Sequence, residues 1–178
     1  GAGGLDWKAG DRVCGSFFRD WIGGRFAMQY HDAALGGSCD GVLSEYVVLP
    51  AHALVAMPAE YSFAQAATLP CAGLTAWCAL VTRGEFMPGD TVVLQGTGGV
   101  SIWGLQIAVA AGGRAIITSS SDEKLERARQ LGASATINYK STPDWSKEVW
   151  RLTEKRGADH VLDVGGSDTI GQAINCVA

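Results

Sequence analysis

The stretch Asp90-Thr91-Val92-Val93-Leu94-Gln95-Gly96-Thr97-Gly98-Gly99-Val100-Ser101 decides how the chain folds. Its first half is an apolar, β-branched run bounded by polar residues, the pattern of a strand buried on both faces of a parallel sheet. Glycines follow at 96, 98 and 99. Beyond them Val100, Trp103, Gly104, Ile107, Ala108 and Ala111 recur at spacings of three and four, which puts one small or apolar stripe on one side of a helix. Strand, glycine turn and helix predict the first half of a βαβ unit of the kind that binds dinucleotides. Gly96 suits the tight turn, and Gly98 lets the backbone approach a pyrophosphate faced by the free N–H groups of the helix start. Ser101 stands where the G-x-G-x-x-G pattern has its third glycine. Alone, the motif also fits a methyltransferase or a plain tight turn.

The next strand, 115–119, narrows the choice. It ends about 23 residues after Gly96, where a ribose-reading side chain belongs. An NAD site or a methyltransferase wants Asp or Glu there, to accept from the ribose hydroxyls. This chain has Thr118-Ser119-Ser120-Ser121, with Lys124 one helical turn on. A carboxylate would repel a 2′-phosphate, whereas hydroxyls and an ammonium would hold one. The expected cofactor is therefore NADP(H) in preference to NAD(H), with Ser119, Ser120 and Lys124 at the phosphate.

Downstream the alternation continues. The pattern predicts helices at 99–111, 122–131 and 143–153, with Thr142 as cap and Pro143 at the first position of the last. Strands are predicted at 92–95, 115–119, 135–139 and 161–164, and Ser167 or Asp168 would cap a final helix. The usual doubly wound order then places strand 161–164 at an edge. Upstream the texture differs. A short β segment follows Gly10-Asp11-Arg12, an irregular glycine- and aromatic-rich loop fills 20–40, and strands are predicted at 44–49 and 54–57. Ser62 and Gln65 suit a capping box, and a helix is predicted from Gly73 to Thr82. The fold class is α/β, a β-rich part followed by a parallel sheet.

Composition sets bounds. The chain has 178 residues and a net charge of −4, so nucleic acid is excluded as a default partner. The longest apolar runs fall short of a membrane span and no signal peptide is evident, so no membrane partner is expected. Five cysteines, an odd number without C-x-x-C, argue against both a disulfide framework and a four-cysteine zinc lobe, and fit a reducing, cytoplasmic setting. His31, His52 and His160 have no partner at a diagnostic spacing and are expected to be structural or exposed. Trp21, Phe26 and Tyr30 are expected to pack in the loop. The start at Gly1 and the stop inside an amphipathic segment suggest a piece of something longer.

An ordered set of motifs adds to this reading: Gly10-Asp11-Arg12-Val13, Gly41-Val42-Leu43-Ser44-Glu45-Tyr46-Val47, Leu69-Pro70-Cys71-Ala72-Gly73-Leu74-Thr75-Ala76-Trp77, Pro88-Gly89-Asp90-Thr91-Val92, Gly96-Thr97-Gly98-Gly99-Val100, Leu131-Gly132-Ala133 and Gly157-Ala158-Asp159-His160-Val161. In order and over nearly the whole chain, it resembles the medium-chain dehydrogenase/reductase superfamily, in particular its quinone-reductase-like, zinc-binding-dehydrogenase-type members. The resemblance implies a partial GroES-like catalytic domain over residues 1–70 and an NAD(P)-binding Rossmann domain, C-terminally truncated, over 71–178. It implies hydride transfer between nicotinamide and a carbonyl or alcohol, a quinone or an activated alkene, on a small-molecule substrate, in a full-length homo-oligomer. By position, Gly96, Thr97, Gly98, Gly99 and Val100 would contact the pyrophosphate, and Thr75 and Gly165 would lie near the nicotinamide. Ser119 would read the ribose, and Lys124 and Tyr139 would flank the 2′-phosphate. No catalytic residue is assigned. Cys71 matches a zinc ligand of zinc-dependent members, but zinc-free members carry the same stretch. The expectation is an enzyme without catalytic zinc; a zinc alcohol dehydrogenase and a non-catalytic NADPH-binding relative remain the alternatives.

Overall fold

The computed structural model describes residues 7–178. Its internal contacts divide the chain into two compact units, parting between Cys71 and Ala72.

The second unit is built around strand β3 (Thr91–Leu94), whose Val92, Val93 and Leu94 are all 0% exposed. Helix α3 (Gly99–Ala110) leads to β4 (Arg114–Ser119), α4 (Asp122–Gln130) to β5 (Ala135–Asn138), and α5 (Trp145–Leu152) to β6 (His160–Leu162). The four strands are all parallel, in the order β5-β4-β3-β6. This is the predicted doubly wound order. Each face has its own core because alternate strand residues point to opposite sides. Val92, Leu94, Ala115 and Ile117 pack against Leu105 and Ala108 of α3 and Leu125 and Ala128 of α4. Val93, Ile116 and Ile137 meet Trp145 and Val149 of α5, with Ala173 and Cys176 beyond.

Several local expectations shift. The helix expected at 143–153 begins at Trp145 behind an N-cap Asp144 that makes no side-chain cap bond. Thr142 is used otherwise, its N–H closing a turn onto the Asn138 carbonyl. Neither Ser167 nor Asp168 caps the last helix. Residues Gly166–Asp168 form one 3-10 turn, and α6 (Ile170–Ile174) starts only after Thr169. Strand β6 lies at an edge of the sheet, as predicted, and just before it Val177 forms a parallel bridge to Ala158.

The helix expected at 73–82 is longer. It runs from Leu69 to Arg83 as a π turn (Leu69–Gly73), an α-helical turn α2 (Leu74–Trp77) and a second π turn (Cys78–Arg83). With the preceding turn, Phe63–Arg83 is long and apolar enough to cross a membrane by length and composition, against the sequence expectation. Ala76 and Leu80 nevertheless sit at 0% and 1% exposure, and Leu80 belongs to the core around β3. Only 22% of the apolar window is buried, and Phe63, Leu74 and Trp77 are exposed.

The first unit is thinner. Its regular sheet is two antiparallel strands, β1 (Val13–Gly15) and β2 (Leu54–Ala56), in register Val13↔Ala56. Helix α1 (Phe63–Ala66) opens with the predicted capping box, Ser62 Oγ accepting from the Gln65 N–H and Gln65 Oε1 from the Ser62 N–H. Arg12 steadies that corner, donating to the carbonyls of Ala59 and Tyr61 with its guanidinium over the Phe63 ring. In the loop, Trp21 and Phe26 pack edge to face at 5.4 Å, and Tyr30 joins them from a short 3-10 helix at Met28–Ala33. The strand predicted at 44–49 does not form. Those residues pair with no ladder, and Tyr46 and Val48 stand 91% and 96% exposed. An alternating pattern becomes a strand only when a neighbouring strand takes up its N–H and C=O groups.

Candidate functional site

The site is the carboxyl end of the parallel sheet, where the connections from β3 and β6 leave on opposite faces, the usual ligand crevice of such folds. Gly96 takes a positive φ of 74°, which glycine adopts without strain. A Cβ on Gly98 would meet nothing within 4 Å, so the backbone is open to an approaching group. Gly98 caps α3 with no side-chain hydrogen bond, and the first turn holds no acidic residue. The N–H groups of that turn therefore remain available, in the positive end of the helix dipole. Together they make a cradle for an anion.

The departure at the third glycine has a physical answer. Ser101 is 0% exposed, and its hydroxyl donates to the Gln95 carbonyl at 2.6 Å. Close packing of helix on strand moves one turn along, to Gly104, where a Cβ would come within 2.8 Å of Leu94. Gly99 meets the neighbouring helix, its would-be Cβ lying 3.1 Å from Ala72. Thr75, exposed on α2, follows Ala72 by three residues, and Val100 is half-buried in the first turn of α3.

The end of β4 is tied to the turn. Thr118 Oγ1 accepts from the Gly96 N–H at 3.2 Å, a role that sequence reading missed. Ser119 is 4% exposed; its hydroxyl lies 3.2 Å from that of Thr97 and accepts from the Ser121 N–H. Parallel pairing sets Ser119 against Asn138, and the Tyr139 N–H donates to the Ser119 carbonyl at 3.1 Å. Ser120 is half-buried beside them. Ser121 caps α4, accepting from the backbone of Lys124, whose side chain is exposed in the first turn. Direct hydrogen bonds thus join Gly96 to Thr118, Thr97 to Ser119 and the Tyr139 backbone to Ser119, with Lys124 one cap away. One carboxylate also stands here. Asp122 accepts from the Asn138 amide at 2.7 Å, anchored in the helix turn whose dipole favours it.

Across the crevice, Asp163 shapes the loop after β6. Its Oδ1 accepts from the N–H groups of Gly165 and Gly166 and from the Thr169 hydroxyl. Burial pushes the Asp163 carboxyl up, but the donors from Gly165, Thr169 and Gly166, with Gln95 close by, outweigh it and hold it below the ordinary range. Gly165 is crowded, for a Cβ there would lie 2.4 Å from Thr169 Oγ1. His160 lies at the opposite end of the sheet, its Nε2 3.1 Å from Asp90 Oδ2, and is structural.

Cys71 is exposed and lines an open, mostly apolar hollow of about 900 Å³ inside the first unit, with Val13, Cys14, Glu45, Leu49 and Phe63. Burial pushes the Cys14 thiol up. Among the described residues no three His, Cys, Asp or Glu side chains gather to hold a metal ion.

Fold and crevice define a Rossmann-type nucleotide-binding unit, and comparison with known proteins gives it a family. Residues 99–178 match the zinc-binding dehydrogenase family. A zinc-type alcohol dehydrogenase-like protein of Schizosaccharomyces pombe is 48% identical over 174 residues, 97% of this chain and 50% of that protein. A Sinorhizobium meliloti crystal structure, of a candidate alcohol dehydrogenase, superposes with TM-score 0.88 at 50% identity, over 97% of this chain and 51% of that one. The Thermus thermophilus quinone oxidoreductase, solved also with NADPH, gives TM-score 0.66 at 33% identity, over 78% of this chain and 44% of that one. The chain belongs to the zinc-binding dehydrogenase family of medium-chain dehydrogenases/reductases. It spans about half the length of the curated relatives it matches.

Proposed function

We propose that the intact protein is an oxidoreductase that moves hydride between a nicotinamide cofactor and a carbonyl or alcohol, a quinone or an activated alkene. The observation that carries this is the glycine turn braced by hydrogen bonds to a neighbouring strand end that bears hydroxyls and a lysine. The same feature supports NADP(H) over NAD(H). When bound, the nicotinamide ring supplies or accepts the hydride. The N–H groups opening α3 would hold the pyrophosphate with Gly96, Thr97, Gly98, Gly99 and Val100. Ser119 and Ser120 would flank the adenosine ribose, and Lys124 and Tyr139 would flank a 2′-phosphate, with the exposed ammonium neutralising it. Thr75 and Gly165 would lie along the nicotinamide half. The apolar lining of the hollow beside Cys71 suits a small, largely apolar substrate. The proposal extends to a cytoplasmic homo-oligomer without nucleic-acid or membrane partners, its acidic net charge of −4 supporting the first exclusion.

Losing one charge-assisted phosphate contact costs about 1.5–3 kcal/mol. Ser119→Asp with Lys124→Ala in the intact protein should therefore weaken NADPH by roughly 10- to 100-fold and shift preference towards NADH. Wild-type protein that binds NADH as tightly as NADPH would overturn the assignment. The exposure of Cys71 on the hollow favours one second reading, a zinc enzyme in which this thiolate is one ligand. Metal analysis separates the two. One zinc per chain, with activity lost in Cys71→Ser, supports the second; Cys71→Ser that keeps most of its turnover supports the first.

A further inference from the structure

Gln95 is the residue immediately before the glycine turn. Its backbone completes the sheet, its N–H donating to the Leu162 carbonyl at 3.3 Å. Its side chain is 4% exposed; the amide acts on the Asp163 carboxylate, but neither Nε2 nor Oε1 makes a hydrogen bond of good geometry among the described residues. Buried amides are rarely left so, because each unmade bond keeps the full cost of leaving water.

The place of this amide suggests its purpose. Gln95 follows Leu94, which is in register with Leu162, so it stands beside Asp163 at the gap between β3 and β6. Its Oε1 would lie 3.1 Å from a Cβ on Gly165, so the amide is lodged under the loop that closes this side of the crevice. Asp163 shares the spot but is occupied, bound to Gly165, Gly166 and Thr169. The amide acts on that carboxylate only through a contact short of good hydrogen-bond geometry, and is the least committed group there. Turning towards the crevice would give up that one contact. A carboxamide offers donors and an acceptor together, which complements a hydroxyl. A phosphate would meet its oxygen unfavourably.

We propose that Gln95 binds the ribose hydroxyls on the nicotinamide half of the dinucleotide, opposite the half served by Ser119 and Lys124. The inference rests on reading the crevice as a dinucleotide site. Its test is Gln95→Met, nearly isosteric and without hydrogen-bonding atoms, in the intact protein. Titrations with NADPH and with adenosine 2′,5′-bisphosphate separate the two halves of the cofactor. The expected result is about a tenfold weaker Kd for NADPH, with the bisphosphate bound as in wild type. The thermal midpoint of the ligand-free protein should change little, since a poorly bonded buried amide goes together with its contact to Asp163. Gln95→Asn, which keeps the amide on a shorter stem, should recover part of the loss. Unchanged NADPH affinity overturns the proposal, as does equal weakening of both ligands with a lowered midpoint, which would make Gln95 a structural brace. Wild-type protein that binds neither NADPH nor the bisphosphate overturns the dinucleotide reading itself.

Discussion

The two units bury their apolar residues in different ways. In the second, every residue of β3 is buried and each face of the sheet has a helix-covered core. In the first, two three-residue strands, an aromatic cluster and one guanidinium hold the chain, while Leu43, Tyr46 and Val48 stand almost wholly exposed. A two-stranded ribbon is marginal by itself, whereas a parallel sheet between helices is self-sufficient. The stability of the two units should therefore respond to quite different residues.

The largest effect is expected at Leu94, fully buried under α3. Leu94→Ala should cost about 2–5 kcal/mol in chemical denaturation, because the packed core cannot collapse around the cavity. A loss under about 1 kcal/mol would mean that the sheet core is looser than its burial implies. Ser62→Ala removes the capping box of α1 and should cost about 1 kcal/mol, confined to the first unit. Residue-resolved hydrogen exchange checks this: amides near Ser62 should speed up while those of β3 do not.

Asp90 gives a smaller effect that depends on pH. The Met87 N–H and then His160 hold its carboxyl below the ordinary range, against partial burial. A carboxylate depressed in the folded state contributes stability above its unfolded value of about 3.9 and loses it as pH falls through the folded value. Asp90→Asn should thus flatten the acid limb of the stability curve below about pH 4 and cost little of its slope at neutrality. The smallest change is expected at Val48, where Val48→Ser should stay within about 0.5 kcal/mol. A larger loss would show that this exposed face is covered in the intact protein.

The same contrast explains what could be read in advance. The strands of the second unit announce themselves because burial on both faces leaves an unbroken apolar run, and the glycine turn because only particular residues tolerate its backbone. The order of the strands then follows from the handedness of βαβ connections. Residues 44–49 show the limit: their alternation is real, but partners distant in sequence decide whether it becomes a strand. The caps differ because a turn closed by the Thr142 N–H onto Asn138 delays α5 to Asp144, and because Ser167 and Asp168 lie in a 3-10 turn, which leaves Thr169 to open α6. At the site, residue types pointed to the phosphate side of the crevice. They did not disclose that Thr118 braces Gly96, or that the Gln95 amide is buried beside Asp163, for both depend on which way a side chain leaves its strand.

The contact between the Thr97 and Ser119 hydroxyls has a consequence for engineering. The residue that would choose between cofactors is also a strut of the loop that grips what the two cofactors share. Selectivity and grip are therefore not independent dials. A carboxylate put in place of Ser119 must make its peace with Thr97 as well as with the ribose, and a redesign that changes both positions together should retain more turnover than one that changes Ser119 alone.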